Sequence, residues 1–218
     1  LTAVGPAPEV VHCIEVDEPG APGTGEITVE LTACSINPAD LMIVEGNYAS
    51  MPDTPCPIGI EGAGTVTAVG DGVTLVGVGD KVMSLYRANW SQRLRLKETE
   101  VVRLPDEIDL EQAAMLKVNA ATALLMLEKY VDLEPGDWVI QDAANSGVGK
   151  NLIRLAQAKG YKTINVVRRV ELIAPLTAMG GDVVLVDGED LAERVNEATG
   201  GLKARLAVDC VSGPITIR

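Results

Sequence analysis

Residues 141–149 form the stretch of this sequence with the clearest capacity for chemistry, Gln-Asp-Ala-Ala-Asn-Ser-Gly-Val-Gly. The stretch joins a predicted strand to a predicted helix, where backbone N–H groups and the helix N-terminus favour a pyrophosphate. Against the strict G-x-G-x-x-G fingerprint, Ala144 and Ser146 replace the first two glycines, while Gly149 retains the third and permits close helix–strand packing. An ordinary tight turn of an α/β protein is the structural alternative. The residues that we predict to bind a dinucleotide here are Asn145, Ser146, Gly147, Val148 and Gly149.

A pair of arginines indicates which dinucleotide this would be. Arg168 and Arg169 follow the next predicted strand, and Arg168 lies 19 residues beyond Gly149 (168 − 149). NAD-binding proteins usually place a carboxylate there for the ribose hydroxyls. A guanidinium instead forms charge-assisted hydrogen bonds to a 2′-phosphate, which a carboxylate would repel, so the pair favours NADPH over NADH. The alternative is that both are solvated surface arginines.

The scarcity of histidine and cysteine excludes several other chemistries. His12 is the only histidine, so a histidine-based triad and a multi-histidine metal site are both ruled out. The four cysteines form no C-x-x-C pair and show no spacing typical of zinc or disulfides, which indicates a reducing compartment. Any proton donor must therefore be another kind of group.

Charge and hydropathy narrow the range of partners. The 218 residues carry a formal net charge of −13 and supply no continuous cationic track for phosphates, so we expect no nucleic-acid partner. No segment has the apolar run needed to cross a bilayer, and the amino terminus lacks the order of a signal peptide, so we expect no membrane association. The expected location is the bacterial cytoplasm, or the mitochondrial matrix if a transit peptide has been removed.

Two halves with different periodicities must position these residues. From residue 9 to about residue 105, short strands separated by Gly and Pro turns, clearest at 26–34 and 64–69, indicate a small β-rich barrel. Beyond Leu110, helices alternate with short apolar strands, which is typical of a parallel sheet covered by helices. We therefore predict an α/β protein with a β-rich domain over residues 1–109 and a doubly wound domain over residues 110–218.

The second half contains four predicted strands and three predicted helices. Gly160 and Gly200 are placed to end the first and third of these helices. The common dinucleotide fold has six strands. Since the sequence stops at Arg218, soon after the fourth strand, we expect that only part of this domain is present. The predicted strands are 137–141, 163–167, 182–186 and 205–210, and the predicted helices are 147–159, 171–179 and 189–199.

The stretch Gly59-Ile-Glu-Gly-Ala-Gly-Thr-Val-Thr-Ala-Val-Gly70, with its continuation to Val82, resembles the signature of the medium-chain dehydrogenase/reductase superfamily. Physically it is a turn, then a strand with glycines where another backbone approaches, then a second turn. In zinc-dependent members a metal-binding cysteine lies where this chain has Asn37, and Ile60 replaces the histidine of the usual G-H-E motif. A four-cysteine lobe for structural zinc is also missing. The resemblance therefore implies the zinc-free branch and a metal-free reaction.

Within that branch, further stretches resemble the 2-enoyl thioester reductases of mitochondrial type. The resemblance implies a GroES-like substrate domain followed by a Rossmann-type NADPH-binding domain, and a homodimer in the full-length parent. It also implies that Tyr48 is catalytic and that Asn119 holds the nicotinamide end of the cofactor or the substrate. The match departs at Ala120, where the family commonly has proline, and this would loosen the following turn. The stretches that carry the resemblance are 37–40, 46–48, 117–119, 122–123, 139–141, 145–149 and 163–168.

The reaction implied by the resemblance is the conjugate reduction of a 2-enoyl thioester of coenzyme A or of acyl-carrier protein. NADPH would deliver a hydride to the β-carbon. Tyr48 would donate a proton at the α-carbon or a hydrogen bond to the oxyanion, because a phenol is protonated at neutral pH. Two alternatives stay open. One is an NADPH:quinone oxidoreductase of the same branch, which would need an open flat pocket and no proton-donating tyrosine, and the other is a nucleotide-binding or structural protein without turnover. For Tyr48 itself, the alternative is a loop residue that only packs.

Overall fold

A computed structural model describes residues 1–212 of the chain. The chain divides into two compact units, of which the first is Leu1–Val118 and the second begins at Asn119. Each unit has its own sheet and its own buried apolar clusters. No helix within the described residues combines the length and the apolar character needed to cross a bilayer.

The first unit is built on a five-stranded antiparallel sheet. Its strands are β1 (Glu26–Cys34), β2 (Gly62–Val69), β3 (Lys81–Ser84), β4 (Arg93–Lys97) and β5 (Val101–Arg103). The strand order is β4-β1-β2-β3-β5, so β4 and β5 are the two edges although only the 3-10 turn Glu98–Glu100 separates them in sequence. Because three residues span only about 10 Å, the two edges must approach each other there. The sheet therefore curls, in agreement with the predicted β-rich barrel.

Alternation along β1 explains which of its faces is buried. Ile27 and Val29 are fully buried and pack with Val66, Val82 and other residues of the neighbouring strands. The close approach of another backbone, which the sequence predicted for the glycines of β2, is seen at Gly64. A Cβ on Gly64 would collide with the backbone carbonyl of Glu30 in β1, so only glycine permits this close pairing.

Three short helices accompany this sheet, namely α1 (Ala7–Val10), α2 (Pro38–Val44) and α3 (Leu110–Ala113). The start of α2 is fixed by the side chain of Asp40, which accepts a hydrogen bond from the N–H of Asn37 at 2.8 Å. Pro at the first position of α2 suits the helix start because its missing N–H would be unpaired there in any case.

The second unit contains a four-stranded parallel sheet with helices between successive strands. Its strands are β6 (Trp138–Gln141), β7 (Lys162–Val167), β8 (Val183–Val186) and β9 (Leu206–Val208). Its helices are α4 (Ala121–Lys129), α5 (Gly147–Lys159), α6 (Ile173–Ala178) and α7 (Leu191–Thr199). The strand order is β8-β7-β6-β9. Along the chain, β7 and β8 are added on one side of β6, and β9 then pairs with the other side of β6. This reversal confirms the predicted doubly wound, Rossmann-type sheet.

The division between the units lies later than the predicted domain boundary. The boundary was predicted after residue 109, whereas the first unit extends to Val118, nine residues further (118 − 109). Helix α3 explains the difference, because Ala113 and Ala114 pack in a buried cluster with Ala63 and Leu104 of the first unit. Helical character thus begins before the second unit does. The predicted helix 171–179 also differs in detail, since a 3-10 turn, Val170–Leu172, precedes α6.

Candidate cofactor and catalytic site

The loop that joins β6 to α5 presents unpaired amides at a helix start. Ser146 is the N-cap of α5, and its Oγ accepts a hydrogen bond from the N–H of Gly149 at 3.0 Å. The Ser146 N–H in turn donates to the carbonyl of Ala143 at 2.8 Å. Within residues 1–212, the N–H groups of Gly147 and Val148 have no protein acceptor. A helix start of this kind attracts an anion, so the loop can hold a phosphate group.

Close contacts explain both glycines of this loop. A Cβ on Gly147 would lie 2.5 Å from Oδ1 of Asn119, so the structure brings these two predicted cofactor residues together. A Cβ on Gly149 would lie 2.6 Å from the carbonyl oxygen of Ala144, so glycine here lets the first turn of α5 lie against its own loop rather than against a strand. The side chain of Val148 packs into the apolar cluster of α4, α5 and β6, so only its backbone amide can face a ligand.

Below the loop lies a buried polar network that sequence reasoning did not identify. The side-chain amide of Gln141 donates to the Gly149 carbonyl at 3.0 Å and to Oδ1 of Asn165 at 2.7 Å. Asn165 donates to Oγ1 of Thr163 at 2.9 Å and to the Val183 carbonyl at 3.0 Å. The network ties the first turn of α5 to β7 and β8. The available signal was the presence of two amide side chains in strands that a parallel sheet buries on both faces.

The two predicted arginines are not equivalent. Both are exposed at the carboxyl end of β7. Arg169 pairs with Glu171, with 3.4 Å between its Nε and a carboxylate oxygen. Arg168 forms no ion pair within the described part of the chain. Its guanidinium therefore remains available for an anionic ligand at the edge of the sheet where dinucleotides bind.

A cavity of about 570 Å³ lies between α7 and one face of the same sheet, and it contains none of the predicted site residues. Its walls are mostly apolar, with Ile140, Val166 and Leu191 among them. At its rim, Asp142 accepts hydrogen bonds from the N–H groups of Cys210 and Val211 at 2.7 and 3.2 Å. Burial raises the pKa of Asp142; Asp209 raises it further, and the two N–H groups oppose the increase.

The predicted catalytic residue, Tyr48, lies in the first unit, whereas the predicted cofactor residues lie in the second. Its ring is half-buried against an apolar cluster that includes Ile58 and Ile60. The guanidinium of Arg87 lies over this ring, 5.9 Å from its centroid. Within the described residues, no hydrogen bond occupies the Tyr48 hydroxyl. The hydroxyl is thus free to donate to a substrate.

The positions where zinc-dependent relatives carry ligands have a different chemistry here. The Asn37 amide donates to Oε1 of Glu61 at 2.8 Å, and the Ser35 hydroxyl donates to the same oxygen at 2.7 Å. Glu61 is fully buried, and its other oxygen accepts from the N–H of Val118 at 2.8 Å. Ile60 is part of the apolar core. Among residues 1–212, no group of three or more His, Cys, Asp or Glu side chains is placed to hold a metal ion.

Lys117 is a second feature that sequence reasoning missed. Its ammonium donates to three backbone carbonyls, those of Ile60, Leu85 and Tyr86, at 2.6, 2.7 and 2.9 Å. Burial, with a contribution from the nearby Arg87, lowers the pKa of Lys117 to about 8. Nothing in the local sequence predicts this, because the acceptors lie 31 to 57 residues away along the chain.

Comparison with known proteins agrees with this architecture. The profile of the alcohol dehydrogenase GroES-like domain family matches residues 23–106. A mitochondrial enoyl-[acyl-carrier-protein] reductase from Caenorhabditis elegans is 39% identical over 188 residues, which are 83% of this chain and 54% of that protein. The chain therefore spans about half the length of that relative.

Two solved structures share the fold over nearly the whole chain. Quinone oxidoreductase from Escherichia coli, in complex with NADPH, is 32% identical with a TM-score of 0.85, over 99% of this chain and 66% of that chain. A mutant form of enoyl thioester reductase from Candida tropicalis is 26% identical with a TM-score of 0.84, over 97% of this chain and 68% of that chain.

The curled β-rich unit, the doubly wound sheet and these similarities together define the class. The chain belongs to the medium-chain dehydrogenase/reductase superfamily. Within this superfamily of oxidoreductases, it is similar to the enoyl thioester reductases. The predicted combination of a GroES-like domain with a Rossmann-type domain is thereby confirmed.

Proposed function

We propose that this protein reduces 2-enoyl thioesters with NADPH. The proposal rests on two features of one sheet edge. Within residues 1–212, the amides at the start of α5 have no protein acceptor, and the guanidinium of Arg168, at the end of the adjacent strand β7, has no ion-pair partner. Such a site suits a dinucleotide with an additional phosphate. The similarity to an enoyl-[acyl-carrier-protein] reductase supports the choice of substrate class.

We assign the binding of NADPH to the second unit. The N–H groups of Gly147 and Val148 would hold the pyrophosphate, with Asn145 and Ser146 in the same loop and Gly149 keeping α5 close to the sheet. Arg168 would bind the 2′-phosphate through charge-assisted hydrogen bonds, and Arg169, already paired with Glu171, would contribute less. Asn119, in contact with Gly147, would hold the nicotinamide end.

We assign the proton transfer to Tyr48. Bound NADPH supplies the hydride that adds to the β-carbon of the enoyl group. The α-carbon of the substrate then takes a proton, and the Tyr48 hydroxyl would donate it, since no protein acceptor within the described residues competes for that hydroxyl. The carrier of the acyl chain is either coenzyme A or acyl-carrier protein, since both present the same thioester.

Reduction of quinones is the second candidate function, and the similarity to the NADPH complex of a quinone oxidoreductase favours it. A quinone needs an open, flat pocket and no tyrosine as proton donor. The two functions therefore differ in their dependence on the Tyr48 hydroxyl. Binding of NADPH without turnover of either substrate would support a third function, that of a nucleotide-binding protein.

We further propose that the full-length protein forms a homodimer and acts in the mitochondrial matrix or the bacterial cytoplasm. The mitochondrial name of the similar reductase supports the first location. Free cysteines suit either compartment, because both keep thiols reduced.

The decisive experiment is an assay of NADPH oxidation with crotonyl-CoA, with a longer 2-enoyl-CoA and with quinones. We expect turnover of the enoyl thioesters. Tyr48→Phe should lower kcat with enoyl thioester by about 100-fold or more, the usual contribution of a general acid, while leaving the Kd for NADPH nearly unchanged. Tyr130→Phe, at a site 70% exposed in the second unit, is the matched control and should have little effect. Full activity of Tyr48→Phe would remove this residue from the mechanism.

A further inference from the structure

Lys117 connects separate backbone segments of the first unit through its ammonium group. All three of its N–H donors are used, one by the carbonyl of Ile60, just before β2, and two by the carbonyls of Leu85 and Tyr86, just after β3. Lys117 itself lies in a π-helical turn, Leu116–Ala120, a type of distortion that is frequent at functional sites. One ammonium group thus joins the π-helical turn to the segment before β2 and to the segment after β3.

Lys117 provides two of the hydrogen bonds that hold this segment. The side chains of Leu85 and Tyr86 are 42% and 47% exposed, so hydrogen bonds rather than side-chain packing fix these two residues. The other bonds run from the Leu85 N–H to the Glu100 carbonyl at 2.8 Å, from the Tyr86 N–H to Oγ of Ser84 at 3.1 Å, and from the Asn89 amide to the Tyr86 carbonyl at 2.8 Å. The next residue, Arg87, is the one whose guanidinium lies over the ring of Tyr48.

We propose that Lys117 is a positioning residue for the proton donor. By binding the carbonyls of Leu85 and Tyr86, its ammonium fixes the turn that places Arg87 over the ring of Tyr48, and the cation–π contact in turn orients the Tyr48 hydroxyl. The role in turnover rests on the proposed function, whereas the structural link from Lys117 to Arg87 does not.

The electrostatics of Lys117 set the pH range in which its hydrogen bonds should change. Burial and Arg87 lower its pKa from 10.5 to about 8, against the attraction of Glu61 and Asp40. Between about pH 8 and 10.5 the unfolded chain therefore binds more protons than the folded chain, so the contribution of this group to stability rises with pH. The charged ammonium donates the three hydrogen bonds to backbone carbonyls, so its deprotonation should weaken them.

The first test follows the fluorescence of Trp90, which lies three residues after Arg87 in the same segment. A Trp138→Phe background leaves Trp90 as the sole tryptophan. We expect its emission to change with pH with a midpoint near the pKa of Lys117, about 8, and to lose this transition in Lys117→Met. Lys81→Met is the matched control, since Lys81 binds a single carbonyl, that of Ile108, and should leave the transition in place. Persistence of the transition in Lys117→Met would overturn the proposal, whether or not the protein proves to be a reductase.

The second test is a double-mutant cycle on turnover of enoyl thioester. Lys117→Met should lower kcat by about 10- to 100-fold, a typical result of misplacing a reacting group, with the Kd for NADPH unchanged. In an Arg87→Met background the same substitution should have no further effect, and Lys117→Arg should restore much of the activity. Independent, multiplying effects of the two substitutions would contradict the proposal. Absence of turnover in the unsubstituted protein would instead reject the proposed function, and the Trp90 titration would still decide the link to the turn.

Discussion

Neighbouring residues of the same type can differ in what remains for them to bind. Arg168 and Arg169 follow the same strand and are both exposed, yet among the described residues only Arg169 has a carboxylate partner, Glu171. An exposed ion pair contributes little to stability, but it reduces the charge that a phosphate would meet. Two aromatic residues of one apolar cluster differ in a similar way. The Tyr48 hydroxyl has no acceptor within residues 1–212, whereas the Trp90 indole N–H donates to the Ser35 carbonyl at 2.9 Å.

We therefore expect Arg168→Ala to weaken the binding of NADPH by about 10- to 100-fold, the loss of one or two charge-assisted hydrogen bonds at about 1.5–3 kcal/mol. The binding of NADH should change little, because it has no 2′-phosphate. Titrations of tryptophan fluorescence with both nucleotides measure this. Arg169→Ala is the matched control and should have the smaller effect. Equal losses for NADPH and NADH in Arg168→Ala would show that this guanidinium does not distinguish the 2′-phosphate.

Among the elements, helix α5 joins stability and binding most directly. Its start is fixed by the Ser146 cap, and its end by Gly160 in the left-handed region at φ 76°. The same first turn presents the N–H groups of Gly147 and Val148, which have no protein acceptor within residues 1–212. The Gln141 amide, by binding the Gly149 carbonyl, holds this turn on the sheet. The helix start is therefore both a structural junction and an anion site.

Two substitutions of Ser146 should separate these roles. Ser146→Ala removes the cap acceptor and should lower the free energy of unfolding by about 1 kcal/mol. Ser146→Asp keeps a good cap and should preserve stability, but its negative charge next to the phosphate site should weaken dinucleotide binding by more than Ser146→Ala does. Thermal unfolding and nucleotide titration of both variants provide the measurements. Normal binding by Ser146→Asp would argue that no phosphate lies at this helix start.

At the scale of the whole molecule, each unit has a separate apolar core, formed around β1 and β2 in the first and around β6 and α5 in the second. The two tryptophans of the chain report on them separately, because Trp90 lies in the first unit and Trp138 in the second. All the residues that we assign to NADPH belong to the second unit.

NADPH should therefore stabilise the second unit in preference to the first. At a concentration of 100 times Kd, binding adds about 2.7 kcal/mol to the unit that holds the ligand. In thermal unfolding, we expect the midpoint reported by Trp138 in a Trp90→Phe variant to rise more than that reported by Trp90 in a Trp138→Phe variant. Equal shifts by both probes would show instead that the two units unfold as one.

Local patterns in the sequence determined the elements and much of the phosphate loop. The predicted strand 26–34 and the predicted helix 147–159 coincide with β1 and α5, because alternation, a serine cap and a terminal glycine act on the residues next to them. The loop between β6 and α5 followed from the same order of strand and helix. Arg168 and Arg169 lie at the predicted strand end for this reason too.

The tertiary structure alone decided which distant groups meet. Gln141 faces Asn165 only because β6 and β7 pair in one register, and Lys117 reaches the Ile60 carbonyl across 57 residues of chain. The division at Val118 likewise depends on where α3 packs. Such contacts depend on strand order and register, which hydrophobic burial selects for the whole unit at once, so no short stretch of sequence contains them.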